Sequence, residues 1–315
     1  MKVGFVRVRI VLLVLGVCCM VSCSPEQDKP RPGAKGDKTI VCTVNYPLAY
    51  FAKRIGGDLI DARFPGPIDE DPAYWQPDTA AIEQFQKADV ILLNGAGYAK
   101  WMEMVSLPTS KCVNTSAAFK DHYIDLVAEL THSHGPAGKH AHGGLAFTTW
   151  LDFSLAAQQS KAIKDALVKR APEHTADFEA NYAGLEKDLM ALDQEMKMVA
   201  AEIKGTPIVV SHPVYQYWTR GYGLNVQSVH WEPDEVPTET QWQEFRKMLV
   251  GHPSQWMIWE GNPAAEAVDA LKAMQIESIT FDPCGAAPSE KDFLDSMQKN
   301  IQELQKYIIQ DSIKE

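Results

Sequence analysis

From residue 39 onward the apolar and polar positions alternate between short apolar runs and stretches with helical spacing. Residues 39–44 form a β-branched run, 47–55 carry a helical stripe, and 59–64 form a second run stopped by Pro65-Gly66-Pro67. Residues 79–87 are again helical, 89–93 read as a strand ended by Asn94-Gly95, and 111–114 as one more. The theme then returns, with strands at 208–211, 224–229, 256–260 and 278–281 and helices at 238–250, 263–274 and from about 290 to 309. Short apolar strands separated by helices predict parallel sheets covered on both faces. The segments 87–95 and 254–261 echo one another, which suggests two lobes of like architecture.

Between the two halves lies the most regular stretch of the chain. Phe178, Tyr182, Leu185, Leu189, Leu192, Met196, Val199 and Ile203 recur at spacings of four and three, one apolar stripe on a helix that ends at Gly205. A helix from 172 to 204 would be roughly 50 Å long at about 1.5 Å per residue, enough to touch both halves. The expected fold class is therefore α/β, with two parallel-sheet lobes joined by one long rigid linking helix. The expected organisation is an N-terminal lobe at 39–171, the linking helix at 172–204 and a C-terminal lobe at 205–315.

The first 38 residues follow another pattern. Lys2, Arg7 and Arg9 precede an apolar run from 10 to 21, and Ser22-Cys23-Ser24 follows. A charged start, a short apolar core and a small residue before a cysteine make a secretory signal of the lipoprotein kind at 1–22, with Cys23 as the lipidated residue. The run is shorter than a bilayer span needs. Residues 24–38 are rich in proline, glycine and charge, a flexible tether running from the lipid. The protein is thus expected outside the cytoplasm, lipid-anchored to the cell envelope and facing the periplasm.

Charge and cysteines narrow the function. The net charge is −11, and loss of 1–22 removes three cations and no acid, leaving −14. So acidic a chain is a poor partner for nucleic acid. Cys42, Cys112 and Cys284 remain after the leader and Cys23, which leaves open one disulfide plus a thiol, or three thiols.

Four of the nine histidines fall within residues 132–142 as two His-x-His pairs, His132 and His134, then His140 and His142, around a Gly/Pro turn. Neutral imidazole is the commonest zinc ligand, and such tracts read as metal binding. His212 stands directly after a strand, and Asp282 and Glu260 hold the same position after two others. Ligands of open α/β sheets gather beyond the carboxyl ends of strands, so these three are expected to face one cleft. The acidic loop of Asp69, Glu70 and Asp71 offers further carboxylates, and Cys284 lies two residues beyond Asp282. No Gly-x-Ser-x-Gly elbow, His-Glu-x-x-His, P-loop or dinucleotide fingerprint occurs, so an enzyme is not expected.

Six blocks in order carry a family resemblance: Tyr46-Pro-Leu-Ala-Tyr-Phe-Ala-Lys-Arg-Ile-Gly-Gly57, Asp71-Pro-x-x-x-x-Pro77, Ala88-Asp-Val-Ile-Leu-Leu-Asn-Gly-Ala96, Trp150-Leu-Asp152, Ser211-His212 and Phe281-Asp-Pro-x-Gly285. Together they resemble the zinc/manganese solute-binding lipoproteins of bacterial ABC importers over about residues 39–310. The resemblance implies an ion held between two lobes and handed to a membrane permease. It also implies three histidines and a carboxylate at the ion. His212 and Asp282 match two of these, whereas Ala73 and Thr148 stand where the other histidines belong.

The expected site is therefore His212 and Asp282 completed by His140, His142, His134 or His132, with Glu260, Asp71 and Cys284 as further candidates. Nitrogen-rich ligation favours Zn2+ over Mn2+, and Cys284 keeps copper open. The expected function is extracytoplasmic metal-ion binding, most of all of zinc, by a monomer that delivers the ion to an ABC-transporter permease. Three rivals stand beside it: an envelope metal chaperone or buffer using the histidine loop, a degenerate scaffold or adhesion lipoprotein with an empty cleft, and a metal hydrolase with Glu260 as base.

Overall fold

The computed structural model of the chain describes Met1 and residues 38–67, 71–126, 131–133, 139–141, 144–289 and 291–309. The lipoprotein leader, Cys23 and the tether fall outside these residues, apart from Met1 and Lys38, as do Asp69, Glu70, His134 and His142.

Strands β1 (Thr39–Thr43), β2 (Ile60–Arg63), β3 (Val90–Leu93) and β4 (Cys112–Asn114) form one parallel sheet in the order β2-β1-β3-β4. Helix α1 (Tyr46–Gly56) begins where the Asn45 side chain accepts from the Leu48 N–H, with Pro47 in its first turn. Helix α2 (Thr79–Lys87) begins the same way at Asp78, whose side chain accepts from the Ala81 N–H.

An antiparallel hairpin follows. Strand β5 (Asp125–Leu126) pairs with β8 (Gly144–Leu145), and β6 (Thr131–Ser133) with β7 (Lys139–Ala141), which sets His132 opposite His140 in register.

Helix α3 (Phe153–Arg170) is capped by Asp152, whose side chain accepts from the Ser154 and Leu155 N–H groups. Its apolar stripe is interrupted by Gln159 and Ser160, both fully buried. The Gln159 amide is accommodated by donating to Thr115 Oγ1 at 3.0 Å and Asn94 Oδ1 at 3.2 Å. That satisfied polar patch is why spacing alone does not reveal this helix.

Helix α4 (Thr175–Glu202) is the linking helix, entered through a 3-10 turn at Pro172–His174. It is about 42 Å long at 1.5 Å per residue, a few residues shorter than its stripe suggests. Phe178, Leu185, Leu189, Leu192, Met196 and Val199 are buried along one side. The helix packs on α1 and α3 towards the N-terminal lobe. It also packs on α5 (Gln216–Tyr222) and α8 (Phe293–Leu304) towards the C-terminal lobe.

Strands β9 (Pro207–Val210), β10 (Asn225–Ser228), β11 (Trp256–Trp259) and β12 (Glu277–Thr280) form the second parallel sheet, in the order β10-β9-β11-β12. Helices α6 (Glu239–Gly251) and α7 (Ala265–Ala273) complete that lobe. The two sheets share one topology, as the sequence echo suggests. A single buried cluster runs from Val41 and Ile91 through Leu189 and Met196 to Val210, Ile258 and Phe281. The C-terminal lobe adds a second cluster of its own, in which Trp231, Trp242, Phe245 and Trp259 pack together.

Cys42, Cys112 and Cys284 are free thiols, so of the two cysteine alternatives the structure adopts three thiols. Burial pushes the Cys42 thiol up to about 11.

Because Leu189 is fully buried where the two lobes share this core, Leu189→Ala is expected to cost about 2–5 kcal/mol. Equilibrium urea unfolding of the mature chain measures it. A change below about 0.5 kcal/mol, the range of surface substitutions, would show that the shared core carries little stability.

Candidate functional site

In an open parallel sheet whose order reverses, the crevice opens between the two strands whose connections leave in opposite directions. In the C-terminal lobe those strands are β9 and β11, joined beyond their ends by the Ser211 N–H donating to Ile258 O at 2.7 Å. His212 follows the first strand and Glu260 the second. Their side chains meet there, with His212 Nδ1 3.6 Å from Glu260 Oε1.

The other ring nitrogen faces a residue that the sequence reading did not single out: His212 Nε2 lies 3.8 Å from Glu232 Oε1. His230 adjoins as well, its ring perpendicular to that of His212 with centroids 5.8 Å apart. The signal was available, because His230-x-Glu232 follows the strand at 224–229 just as His212 follows its own strand. Across the sheet the carboxyl ends thus carry His230 and Glu232, then His212, then Glu260, then Asp282, one position for each of four neighbouring strands.

These groups sit largely out of water. His212 is only 5% exposed. Burial, with Asp71, Glu232 and Asp282 nearby as like charges, pushes the Glu260 carboxyl up to about 8. Asp282 is also raised by burial, while its Oδ1 accepts from the Cys284 N–H at 2.7 Å. The Asn300 amide brackets the Asp282 backbone, accepting from its N–H at 3.1 Å and donating to its carbonyl at 2.8 Å. Cys284 is buried and its thiol is raised far above the usual thiol range, chiefly by desolvation.

The N-terminal lobe contributes Asp71, whose side chain accepts from the Ala73 N–H at 2.9 Å. Ala73 is buried, and the Thr148 hydroxyl donates to Val214 O across the lobes. Ala73 carries no ligating atom, and Thr148 offers a hydroxyl in place of an imidazole. A cavity of about 20 Å³ remains there, bounded by Tyr74, Phe147, Thr148, His212 and Val214, room for about one water molecule. The next loop is clasped from the N-terminal side, as Trp150 Nε1 donates to Pro283 O at 2.7 Å and Tyr46 N–H to Gly285 O at 3.0 Å.

Of the sequence candidates, His212, Glu260, Asp282 and Asp71 are brought to one region. Cys284 sits beside them but is buried. For the histidine segment the structure supplies the backbone of 131–133 and 139–141 and the pairing of His132 with His140, while His134 and His142 lie outside the described residues. Among the described residues, no three His, Cys, Asp or Glu side chains yet converge on one point.

With the carboxyl of Glu260 at about 8 in the fold against an ordinary value of 4.5, the folded state holds a proton that the unfolded chain releases. In the presence of chelator, the stability contributed by this group is therefore full below about 4.5, falls by about 1.4 kcal/mol per unit as pH rises from there to about 8, and is flat above. Urea unfolding at several pH values measures the slope. Glu260→Gln is expected to flatten it, and an unchanged slope would assign the effect elsewhere.

Comparison with known proteins follows the same lines. The profile of the family described as "Zinc-uptake complex component A periplasmic" matches residues 40–307. The zinc-binding lipoprotein AdcA of Streptococcus pneumoniae is 23% identical over 309 residues, covering 94% of this chain and 60% of that protein. The chain therefore spans less than two thirds of that relative's length. The high-affinity zinc uptake system protein ZnuA of Bacillus subtilis is 24% identical over 271 residues, 82% of this chain and 83% of its own. The iron ABC transporter substrate-binding lipoprotein MtsA of Streptococcus pyogenes is 29% identical over 218 residues, 67% of this chain and 66% of its own. Among solved structures, Zn(II)-bound AdcA from S. pneumoniae superimposes with a TM-score of 0.71 at 18% identity, covering 86% of this chain and 57% of that one. The metal-dependent lipoprotein YcdH from B. subtilis gives 0.72 at 20% identity, covering 86% and 99%. These structures confirm the two-lobe fold. The matched family is one of uptake components and not of enzymes, in line with the missing catalytic motifs. With the family profile spanning both sheets and the linking helix, the chain belongs to the zinc-uptake complex component A family of periplasmic proteins.

Proposed function

We propose that this protein binds a divalent metal ion, zinc foremost, in the crevice centred on His212, and delivers it to the membrane permease of an ABC importer. It does so as a monomer held at the envelope by a lipid on Cys23. One observation carries the reading: a buried histidine lies between two glutamates at the topological switch point, 3.6 Å from one and 3.8 Å from the other. An imidazole flanked by carboxylates is a donor set that suits zinc. The crowding of Asp71, Glu232 and Asp282 around Glu260 makes the crevice a place where a cation is attracted. Catalysis forms no part of the reading.

His212 and Asp282 alone are too few. Four-ligand zinc sites are worth on the order of 10–16 kcal/mol, and an isolated pair falls far short. Two sources of further donors are the histidines of 132–142 and the carboxyl-end rim of the second sheet. The zinc-named relatives support zinc as the cargo, and the iron-named relative supports testing a second metal alongside it.

Zinc and manganese titrations of the chelator-stripped mature chain test the proposal. One zinc is expected to bind tightly and manganese more weakly. Losing one of about four ligands forfeits about a quarter of the binding energy, so His212→Ala should weaken zinc on the order of 100-fold. Equal affinity in wild type and variant, or no uptake of either ion, would overturn the reading.

A further inference from the structure

The family resemblance implies donors on both lobes, yet here Ala73 and Thr148 stand at the N-terminal positions. On the other side, the strand ends carry more donors than His212 and Asp282. We propose that the ion's protein ligands are His212, His230 and Glu232, all from the C-terminal lobe, with Glu260 holding the second nitrogen of His212. This rests on the metal-binding reading above and specifies its ligand set.

The backbone brings the three together. Beyond β10 and β9 the two segments stay bonded but slip by one residue, with Val229 N–H donating to Val210 O at 3.0 Å and Trp231 N–H to Ser211 O at 2.8 Å. In an extended strand successive side chains point to opposite faces. Val229 and Trp231 pack into the cluster formed with Trp242, Phe245 and Trp259. His230 and Glu232 therefore share the opposite face, the one to which Val226 and Val210 belong. His212 lies in the bend just after β9 and meets both, with its Nε2 3.8 Å from Glu232 Oε1 and its ring 5.8 Å from that of His230.

The distances are near those that an ion would impose. Ligands bonded to a tetrahedral zinc at about 2.0–2.1 Å stand about 3.3 Å apart, against 3.8 Å between His212 Nε2 and Glu232 Oε1. Two imidazoles on one such ion have centroids about 5 Å apart, against 5.8 Å between His212 and His230. Along these two pairs the present separations exceed the bonded ones by under 1 Å. Glu232, with its side chain 32% exposed, has freedom to move.

Glu260 completes the arrangement from behind. It lies 3.6 Å from His212 Nδ1, the nitrogen turned away from Glu232. A ligating histidine ordinarily gives its other N–H to a carboxylate, which fixes the tautomer and strengthens the ligand. Solvent fills the fourth position. A site carried by one lobe keeps its ion when the lobes part, so release depends on displacement of these three ligands and not on hinge opening.

The test uses the full mature chain stripped with chelator, zinc competed against a chelating fluorophore, and cobalt(II) as a spectroscopic substitute. His230→Ala and Glu232→Gln are each expected to weaken zinc by about 10-fold to 100-fold and to alter the cobalt ligand-field spectrum. Glu232→Asp, which keeps the carboxylate, is expected to retain part of the affinity and checks that any loss is not unfolding. Deletion of 132–142 is expected to leave one tight zinc. If His230→Ala and Glu232→Gln bind as wild type while the deletion or Asp282→Asn abolishes binding, the ligand set is wrong and the metal-binding reading stands. If the wild-type chain takes up no zinc, both fall.

Discussion

Several carboxylates cannot share a place withdrawn from water unless protons or a cation sit among them. That constraint governs the rim of the second sheet, where Glu260 meets the charges of Asp71, Glu232 and Asp282 beside the nearly buried His212. Desolvation penalises each anion, and mutual repulsion adds to it. The fold tolerates the arrangement because a proton on Glu260 relieves it, and a divalent ion would relieve it further. The same feature that costs stability in the stripped protein is therefore what gives the crevice its attraction for cations.

The scaffold holds these groups in place because its largest core runs through both lobes. Helix α4 lays its apolar side between α1 and α3 at one end and α5 and α8 at the other. Polar ties add direction along it: Arg54 pairs with Asp188 at 2.6 Å, and Gln298 donates to both carboxylate oxygens of Glu195 at 2.9 Å. The buried Asp193 accepts from the Tyr222 hydroxyl at 3.2 Å, and that hydroxyl accepts from the Phe153 N–H at 3.1 Å. This links α4, α5 and the start of α3 in a single chain of bonds. Wide hinge motion would break such a chain along with the apolar contacts.

Against that rigid background, Ala73 and Thr148 are packed and bonded features. Ala73 is buried behind the turn that Asp71 organises, and the Thr148 hydroxyl is committed to the Val214 carbonyl of the facing lobe. Asn94 reinforces that side, donating through its amide to Phe147 O at 2.8 Å and accepting from Asn45 and Gln159. The loop around Thr148 is thus a structural clasp between the lobes.

The sequence by itself determined the class of fold, the strands near their observed ends, the linking helix and the positions of His212, Glu260 and Asp282. Each of these is written in local periodicity, in caps and stops, or in the rule that ligands follow strand ends. Helix α3 was hidden because Gln159 and Ser160 break its apolar stripe, and these polar residues are acceptable inside because Gln159 donates to Thr115 and Asn94 and Ser160 to the Ala157 carbonyl. His230 and Glu232 were legible as residues but not as neighbours of His212. Their proximity arises from the pairing of β10 with β9, a contact between segments distant in the chain. Tertiary structure alone decided which donors share a face, because strand register sets that and no local pattern records it.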